Sequence, residues 1–371
     1  PPPPPPPPPP FHADDGIRDT RIGLVGSEMC IRDRKATCQG SSWAGGGILS
    51  PLYPWRYPEA VSVLARWSQD HYLALAEILE EESGIDAQWT RCGLLILGAK
   101  DAGDGREWAR AHDVRIRDLS PDELLEHEPA LGIRDRDGLL FPDIAHVRNP
   151  RFCRALKTSL LRRGVQFYED TAVHAFIVRE GRMHGIRTID GAECTAGCVV
   201  VAAGAWSGDL LQGLDPGTDV PVEPVRGQML LFRAHPGLLQ QIVLYDDHYV
   251  IPRRDGRVLA GSTLERVGFD DSTTSEARQE LLRTAVEIIP SLAGVEIERH
   301  WAGLRPGSPT GVPFIGPHPA IEGLYINAGH YRNGVILGPA SARLLSDMIT
   351  GRPGFTEFSP YSLVPFAGAG T

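Results

Sequence analysis

Apolar residues at Val61, Leu64, Leu75, Ile78 and Leu79 fall on one helical stripe, which predicts a helix opened by Pro58, running to about Glu82 and stopped by Gly84. From Trp89 to Leu97 the pattern turns to strand, and Ser120-Pro-Asp-Glu123 reads as a capping box ahead of a short helix. A further helix over Asn149–Arg163 feeds Val165-Gln-Phe-Tyr168 and a set of short strands ending in the apolar run Cys198–Ala203, expected to be buried. Beyond it, Pro224–Phe232, Tyr249–Pro252 and Val258–Gly261 are strand-like, the last two joined by a turn at Asp255-Gly256. A helix over Ser275–Ile289, a strand over Leu324–Asn327, a glycine-flanked turn Gly329–Gly334 and a helix over Pro339–Ile349 complete the pattern. Strand and helix runs interleaved with an antiparallel block predict an α/β (α+β) chain. One domain is assigned to 35–85, 147–220 and 302–352, an inserted antiparallel-sheet domain to 86–146 and 221–301, and 353–371 to a tail. At 371 residues two packed domains are the default.

Charge and composition narrow the function classes. With 37 Lys and Arg against 47 Asp and Glu, net −10 and no basic stripe, a nucleic-acid partner is not expected. No apolar run approaches the ~18 residues of a membrane span, so no transmembrane segment is expected. The six cysteines show neither metal-ligand spacing nor a secreted framework, so no metal is assigned, Cys194 and Cys198 read as inert thiols, and a cytoplasmic setting is the simplest. Ten prolines open the chain, and Phe11–Arg34 carries Ile-Arg-Asp twice without a helical or strand period, so 1–34 is expected to be a disordered leader. It holds no continuous apolar region of a secretory signal. Gly23-Leu-Val-Gly26 approaches a dinucleotide-binding turn but lacks the third glycine, a following helix and an acidic strand end.

Candidate chemistry gathers in three segments. Trp301-Ala-Gly-Leu-Arg-Pro-Gly307 and Gly329-His-Tyr-Arg-Asn-Gly334 place two arginines among glycines, where a planar guanidinium can be aimed at a carboxylate. The second follows a strand and precedes a helix, the order that makes a site for negative charge. Thr37–Leu49 is glycine-rich and nearly uncharged, which suits a backbone lying against a cofactor.

Together with Val199-Val-Val-Ala-Ala-Gly-Ala-Trp-Ser-Gly208, these segments make the chain resemble the D-amino-acid oxidase family of flavoproteins over roughly Thr37 to Arg352. The resemblance implies non-covalent FAD in a Rossmann-like domain lacking its first βαβ module. The Phe11–Arg34 stretch is similar to translated sequencing adapter and would be an artefact on a truncated gene. By resemblance, Arg305 pairs the substrate carboxylate, the Tyr249 hydroxyl donates to it, and Arg332 borders the substrate's far side. Ser41, Ser42, Gly46, Gly47 and Ile48 would line the flavin, the Val173 backbone would meet the adenine, and Ala203, Gly204 and Trp206 would face the ribityl-phosphate side. His330, Tyr331, Arg332, Asn333, Gly334, Val335 and Ile336 would wrap the ring, with His330 a flavin contact and not a general base. Leu264 falls where a pocket-wall side chain, often methionine, is placed in the family. The implied reaction removes a hydride from the α-carbon of glycine or a small D-amino acid. The resulting imine is hydrolysed and O2 becomes H2O2, in the context of thiamin thiazole synthesis. Alternatives are a dehydrogenase with a quinone acceptor and an inactive fragment. Covalent flavin through a C-terminal cysteine is not expected, since the last cysteine is Cys198, and a homo-oligomer is left open.

Overall fold

The structure, a computed structural model, describes residues 29–215 and 218–363. Gly23–Gly26, most of the leader and the last eight residues lie outside the described residues. The long helix spans Glu59–Ser83 and ends at Gly84 in the left-handed conformation, close to its predicted bounds. It buries Val61, Leu64 and Tyr72 against Ile336, Leu337, Ala340 and Leu344 of the C-terminal helix, Gly334–Thr350. The Ser120 capping box is formed: Glu123 N–H donates to Ser120 Oγ and Ser120 N–H to Glu123 Oε2. The predicted strand 89–97 breaks into Thr90–Arg91 and Leu94–Leu97 at Gly93, whose φ is 81°.

An eight-stranded sheet dominates the molecule, in the spatial order 297–307, 223–232, 258–261, 248–252, 242–245, 94–97, 138–141, 117–119. All its joins are antiparallel except the one between Ile242–Tyr245 and Leu94–Leu97, so the sheet is mixed. Successive side chains point to opposite faces, and both faces are covered, which is why these strands read as continuous apolar runs. Leu95, Leu230, Val243 and Val250 pack against Leu281, Ala285 and Ile288 of the helix Ser275–Ile288. The alternate residues Leu94, Met229, Leu244, Tyr249 and Ile251 face Ile48, Leu52 and Tyr53. That alternation puts Tyr249 on the side of the glycine-rich segment.

Parallel pairing supplies the rest of the α/β character. Val199–Val201 pairs parallel with Leu324–Ala328, which Phe314–Pro317 joins antiparallel. Cys30–Arg32 pairs parallel with Gln166–Tyr168, which corrects the expectation that residues to Arg34 hold no strand: hydrogen bonds to an ordered neighbour organise a segment that has no hydrophobic period. The run Cys198–Ala203 was expected to be buried, yet Val201 is buried while Val200 is 42 % exposed. Among the described residues the strand pairs on one side only, as the edge of a three-stranded sheet.

Proline explains the third correction. The C-terminal helix begins at Gly334 and takes in Pro339, the residue expected to open it. Proline has no N–H to give to the carbonyl four residues back, Val335 O. The Tyr72 hydroxyl, fully buried on the long helix, donates to that carbonyl instead at 3.0 Å, and Ala340 N–H turns to Ser68 Oγ at 3.1 Å. Two side chains of one helix thus repair the break in another.

Candidate active site

Arg305 lies on the strand Ile297–Gly307, paired with Glu223–Phe232, and its side chain crosses the neighbouring strand at Gly227. A Cβ there would sit 2.2 Å from both guanidinium Nη atoms, so only glycine leaves room for this arginine. Nη1 donates to Arg226 O at 3.3 Å and Thr263 O at 3.1 Å, and Nη2 donates to Ser262 Oγ at 2.8 Å. These partners are all neutral. Burial and then the neighbouring Arg332 hold the guanidinium pKa below its ordinary value, with Tyr249, Tyr331 and Tyr57 close by. A cation placed this way favours an incoming anion with a planar pair of oxygens. Tyr249 is 8 % exposed, and among the described residues its hydroxyl has only Met229 Sδ, at 3.9 Å, as a weak acceptor. Arg332 is held loosely, 4.0 Å from Asp247 Oδ1. The structure therefore brings Arg305, Tyr249 and Arg332 together.

The glycine-rich segment adjoins them. The short helix Ser41–Ala44 contacts the Arg305 strand: Trp301 Nε1 donates to Ala44 O at 3.1 Å, and a Cβ on Gly303 would lie 2.5 Å from Ala44 Cβ. The chain then runs through Gly45–Ile48. Gly47 has φ 81° and no room for a side chain, the ideal Cβ lying 2.1 Å from Val147 O. Gly46 lies against the Tyr249 ring, and Gly204, left-handed at φ 57°, comes beside Ser41 Oγ. Trp206 stacks on Phe269 at 5.3 Å, with the Arg34 guanidinium 3.5 Å over its ring, and Ala203 is partly buried next to it. His330 precedes the turn Tyr331–Asn333, which leads into the C-terminal helix. Burial pushes the His330 imidazole down to about 4, and its Nε2 meets Ser341 Oγ at 2.9 Å, so at neutral pH it adds no charge.

The helix N-cap, Asn333, makes no side-chain capping bond, and its Nδ2 is buried without a partner among the described residues. The first-turn N–H groups of Gly334, Val335 and Ile336 therefore have no side-chain cap. A glycine cradle whose Gly47 leaves no room for a Cβ, beside a helix N-terminus without a side-chain cap, fits a flat cofactor with a polar edge. Val173 stands apart, on the three-stranded sheet of Val173–Arg179, Arg182–Thr188 and Glu193–Thr195, where Thr171 N–H reaches Asp33 O at 2.7 Å. Leu264 is 48 % exposed and belongs to no buried cluster.

Four residues escaped the sequence reading. Arg253 is buried and donates to Gly46 O at 2.7 Å, Val147 O at 3.0 Å and His146 Nδ1 at 3.0 Å, tying the Tyr249 strand to the glycine-rich segment. Burial brings its pKa down to about 10, with Arg148 adding to the shift. Nothing in Pro252-Arg253-Arg254-Asp255 marks Arg253 apart from Arg254, whose guanidinium goes to Asp86. Asn149, 1 % exposed, donates from Nδ2 to Ser42 O at 2.7 Å. Gly227 and Ser262 set Arg305, and neither sits in a motif.

Such a cradle, with a half-buried arginine set beside it, fits a cofactor-dependent enzyme. The chain is a member of the DAO family, the FAD-dependent oxidoreductases, whose sequence profile matches residues 23–348. It is 43 % identical to a glycine oxidase of Pseudomonas aeruginosa over 342 residues, 92 % of this chain and 93 % of that one. A bifunctional ThiO/ThiG protein of Synechocystis is 32 % identical over 332 residues, 87 % of this chain and 48 % of that protein. The crystal structure of a glycine oxidase from Geobacillus kaustophilus superposes with a TM-score of 0.86 at 30 % identity, covering 91 % of this chain and 92 % of that one. The protein is thus an FAD-dependent oxidoreductase of the glycine oxidase and D-amino-acid oxidase type. The family match reaches into the leader, fourteen residues before Thr37, in keeping with the strand at Cys30–Arg32. Among the described residues no group of three or more His, Cys, Asp or Glu could hold a metal, and no helix is long and apolar enough to cross a membrane.

Proposed function

We propose that the protein oxidises glycine or a small D-amino acid at the α-carbon, giving an imine that hydrolyses to the 2-oxo acid and ammonia. The observation that carries this reading is the Arg305 guanidinium, set by three neutral oxygens and shared by Tyr249 and Arg332. Arg305 would pair with the substrate carboxylate, the Tyr249 hydroxyl would donate to the same carboxylate, and Arg332 would close the far side. Ser41, Ser42, Gly46, Gly47, Ile48, Ala203, Gly204 and Trp206, with His330 to Ile336, would hold FAD, and Val173 its adenine. Bound FAD supplies a two-electron acceptor for the α-hydride, with O2 as the final oxidant and H2O2 as product. No histidine is needed as a base: the neutral amine form of the substrate meets the requirement, and His330 contributes only a contact. Likeness to glycine oxidases supports the substrate class, and likeness to the ThiO/ThiG protein supports a link to thiamin thiazole formation.

Anaerobic mixing with glycine, sarcosine and small D-amino acids tests the reading. Flavin bleaching by at least one of them is expected, followed by recovery of colour and H2O2 when O2 is admitted. Arg305→Ala should keep FAD but raise KM steeply, since losing one partner of a buried charged pair costs on the order of 2–5 kcal/mol. Bleaching by none of these amines would end the proposal, and bleaching without recovery in O2 would point to a quinone acceptor.

A further inference from the structure

Helix Asn149–Arg162 carries three residues at four-residue intervals, Asn149, Cys153 and Lys157, which share one face. Segment 37–42 lies along that stripe. Asn149 Nδ2 donates to Ser42 O at 2.7 Å. Lys157 Nζ and Thr37 N–H both donate to Glu169 Oε1, at 2.6 and 2.5 Å, so Glu169 ties the start of the segment to the helix. Cys38 lies between these two anchors on the segment and Cys153 between Asn149 and Lys157 on the helix face, which sets the two thiols side by side. Cys153 is buried and Cys38 is half-buried. Cys38 also has φ 64°, a left-handed backbone uncommon outside glycine.

We propose that Cys38 and Cys153 are a modification site, a dithiol that a hydroperoxide converts reversibly to a disulfide. The Cys38 thiolate attacks one peroxide oxygen, the O–O bond breaks, hydroxide leaves and the sulfur becomes a sulfenic acid. The Cys153 sulfur then attacks that sulfur, the S–O bond breaks, and water leaves with the Cys153 proton. The hydroxide takes up the proton that Cys38 gave, so two thiols and one H2O2 become one disulfide and two waters. An external dithiol reverses the change. The thiol pair is graded for this sequence. The neighbouring Cys153 thiol lowers the Cys38 pKa, with Lys157 aiding and burial, Asp33 and Glu169 opposing, while the Cys38 thiol and burial raise Cys153. The other thiols are placed differently: burial pushes Cys92 up to about 11 and also raises Cys198, and Cys194 accepts from Arg32 Nη2 at 2.8 Å. A disulfide would staple the segment that leads into Ser41–Ala44 near its start, adding a covalent tie next to the Thr37 anchor. The chemistry needs a peroxide from any source; only the idea that the enzyme makes its own rests on the proposed function.

The full chain is treated with an excess of added H2O2, alkylated in denaturant and mapped without reduction. The expected product joins the peptides of Cys38 and Cys153, lighter than the free pair by two hydrogens and separated again by dithiothreitol. In Cys153→Ser, Cys38 should stop at the sulfenic acid and be trapped by dimedone. Cys38→Gly suits the left-handed backbone, keeps the fold and should abolish the linkage. Recovery of both cysteines as alkylated thiols from the wild-type chain, or pairing of Cys38 with Cys30 or Cys194, would overturn the proposal. Because the peroxide is added, neither outcome depends on whether the protein oxidises glycine.

Discussion

Gly227 is the residue on which the placement of Arg305 turns. A methyl group there would overlap the guanidinium, and the side chain cannot retreat without giving up Ser262 Oγ and Thr263 O. Gly227→Ala is therefore expected to raise KM for an amino-acid substrate at least about tenfold, the worth of roughly 1.4 kcal/mol, with a smaller change in kcat. Ser262→Ala should act in the same direction and more weakly, because two backbone carbonyls still hold Nη1. A spectral titration of the flavin with a non-reacting carboxylate measures the same loss without turnover. Equal affinity in Gly227→Ala and wild type would show that Arg305 does not set carboxylate binding. Arg305 itself was legible in its glycine-rich context. Gly227 was not, since its importance lies in a cross-strand neighbour that no local pattern reveals.

Repair of the Pro339 break sets the next scale. Tyr72→Phe leaves Val335 O buried without a donor, and an unpaired buried carbonyl costs about 1–3 kcal/mol. Replacing Pro339 by Ala restores an N–H four residues on, so the double variant should regain most of the loss, a coupling that a double-mutant cycle in urea reads directly. Additive effects would mean that the two positions do not share this carbonyl. The same helix shows why element boundaries were only partly readable. Proline at a helix start is the commoner pattern, and the compensation by Tyr72 and Ser68 is tertiary. Long periodic elements such as Glu59–Ser83 and the capped Pro121–His127 were legible because their signals are local. The strand Cys30–Arg32 was not, because its pairing with Gln166–Tyr168 is its only signal.

For the molecule as a whole, acid stability should be governed first by histidines. Burial, followed by the charges of Arg253 and Arg254, holds His146 well below its ordinary pKa, and burial holds His330 down to about 4. Unfolded, both bind protons near pH 6.5, so the unfolded state takes up more protons below that value. The stability they contribute is complete above about pH 6.5 and is lost as pH falls toward about 4, ahead of paired carboxylates such as Asp101, which Arg56 holds at about 2. Urea unfolding should show a fall on the order of 2 kcal/mol per ring from pH 7 to 5, and His146→Leu should reduce the slope by about half. A flat profile over that range would exclude neutral burial of these rings. Arg253 and Arg305, whose hydrogen bonds go to neutral groups, form a positive centre inside a chain of net charge −10. That arrangement sorts small molecules by their total charge before any contact is made. A zwitterion crosses the negative outer field without penalty and meets attraction only at the end, whereas a simple monoanion is repelled on approach. Added salt should therefore speed the association of plain carboxylates while leaving that of glycine unchanged, so the protein would admit amino acids selectively even where their carboxylates are chemically the same.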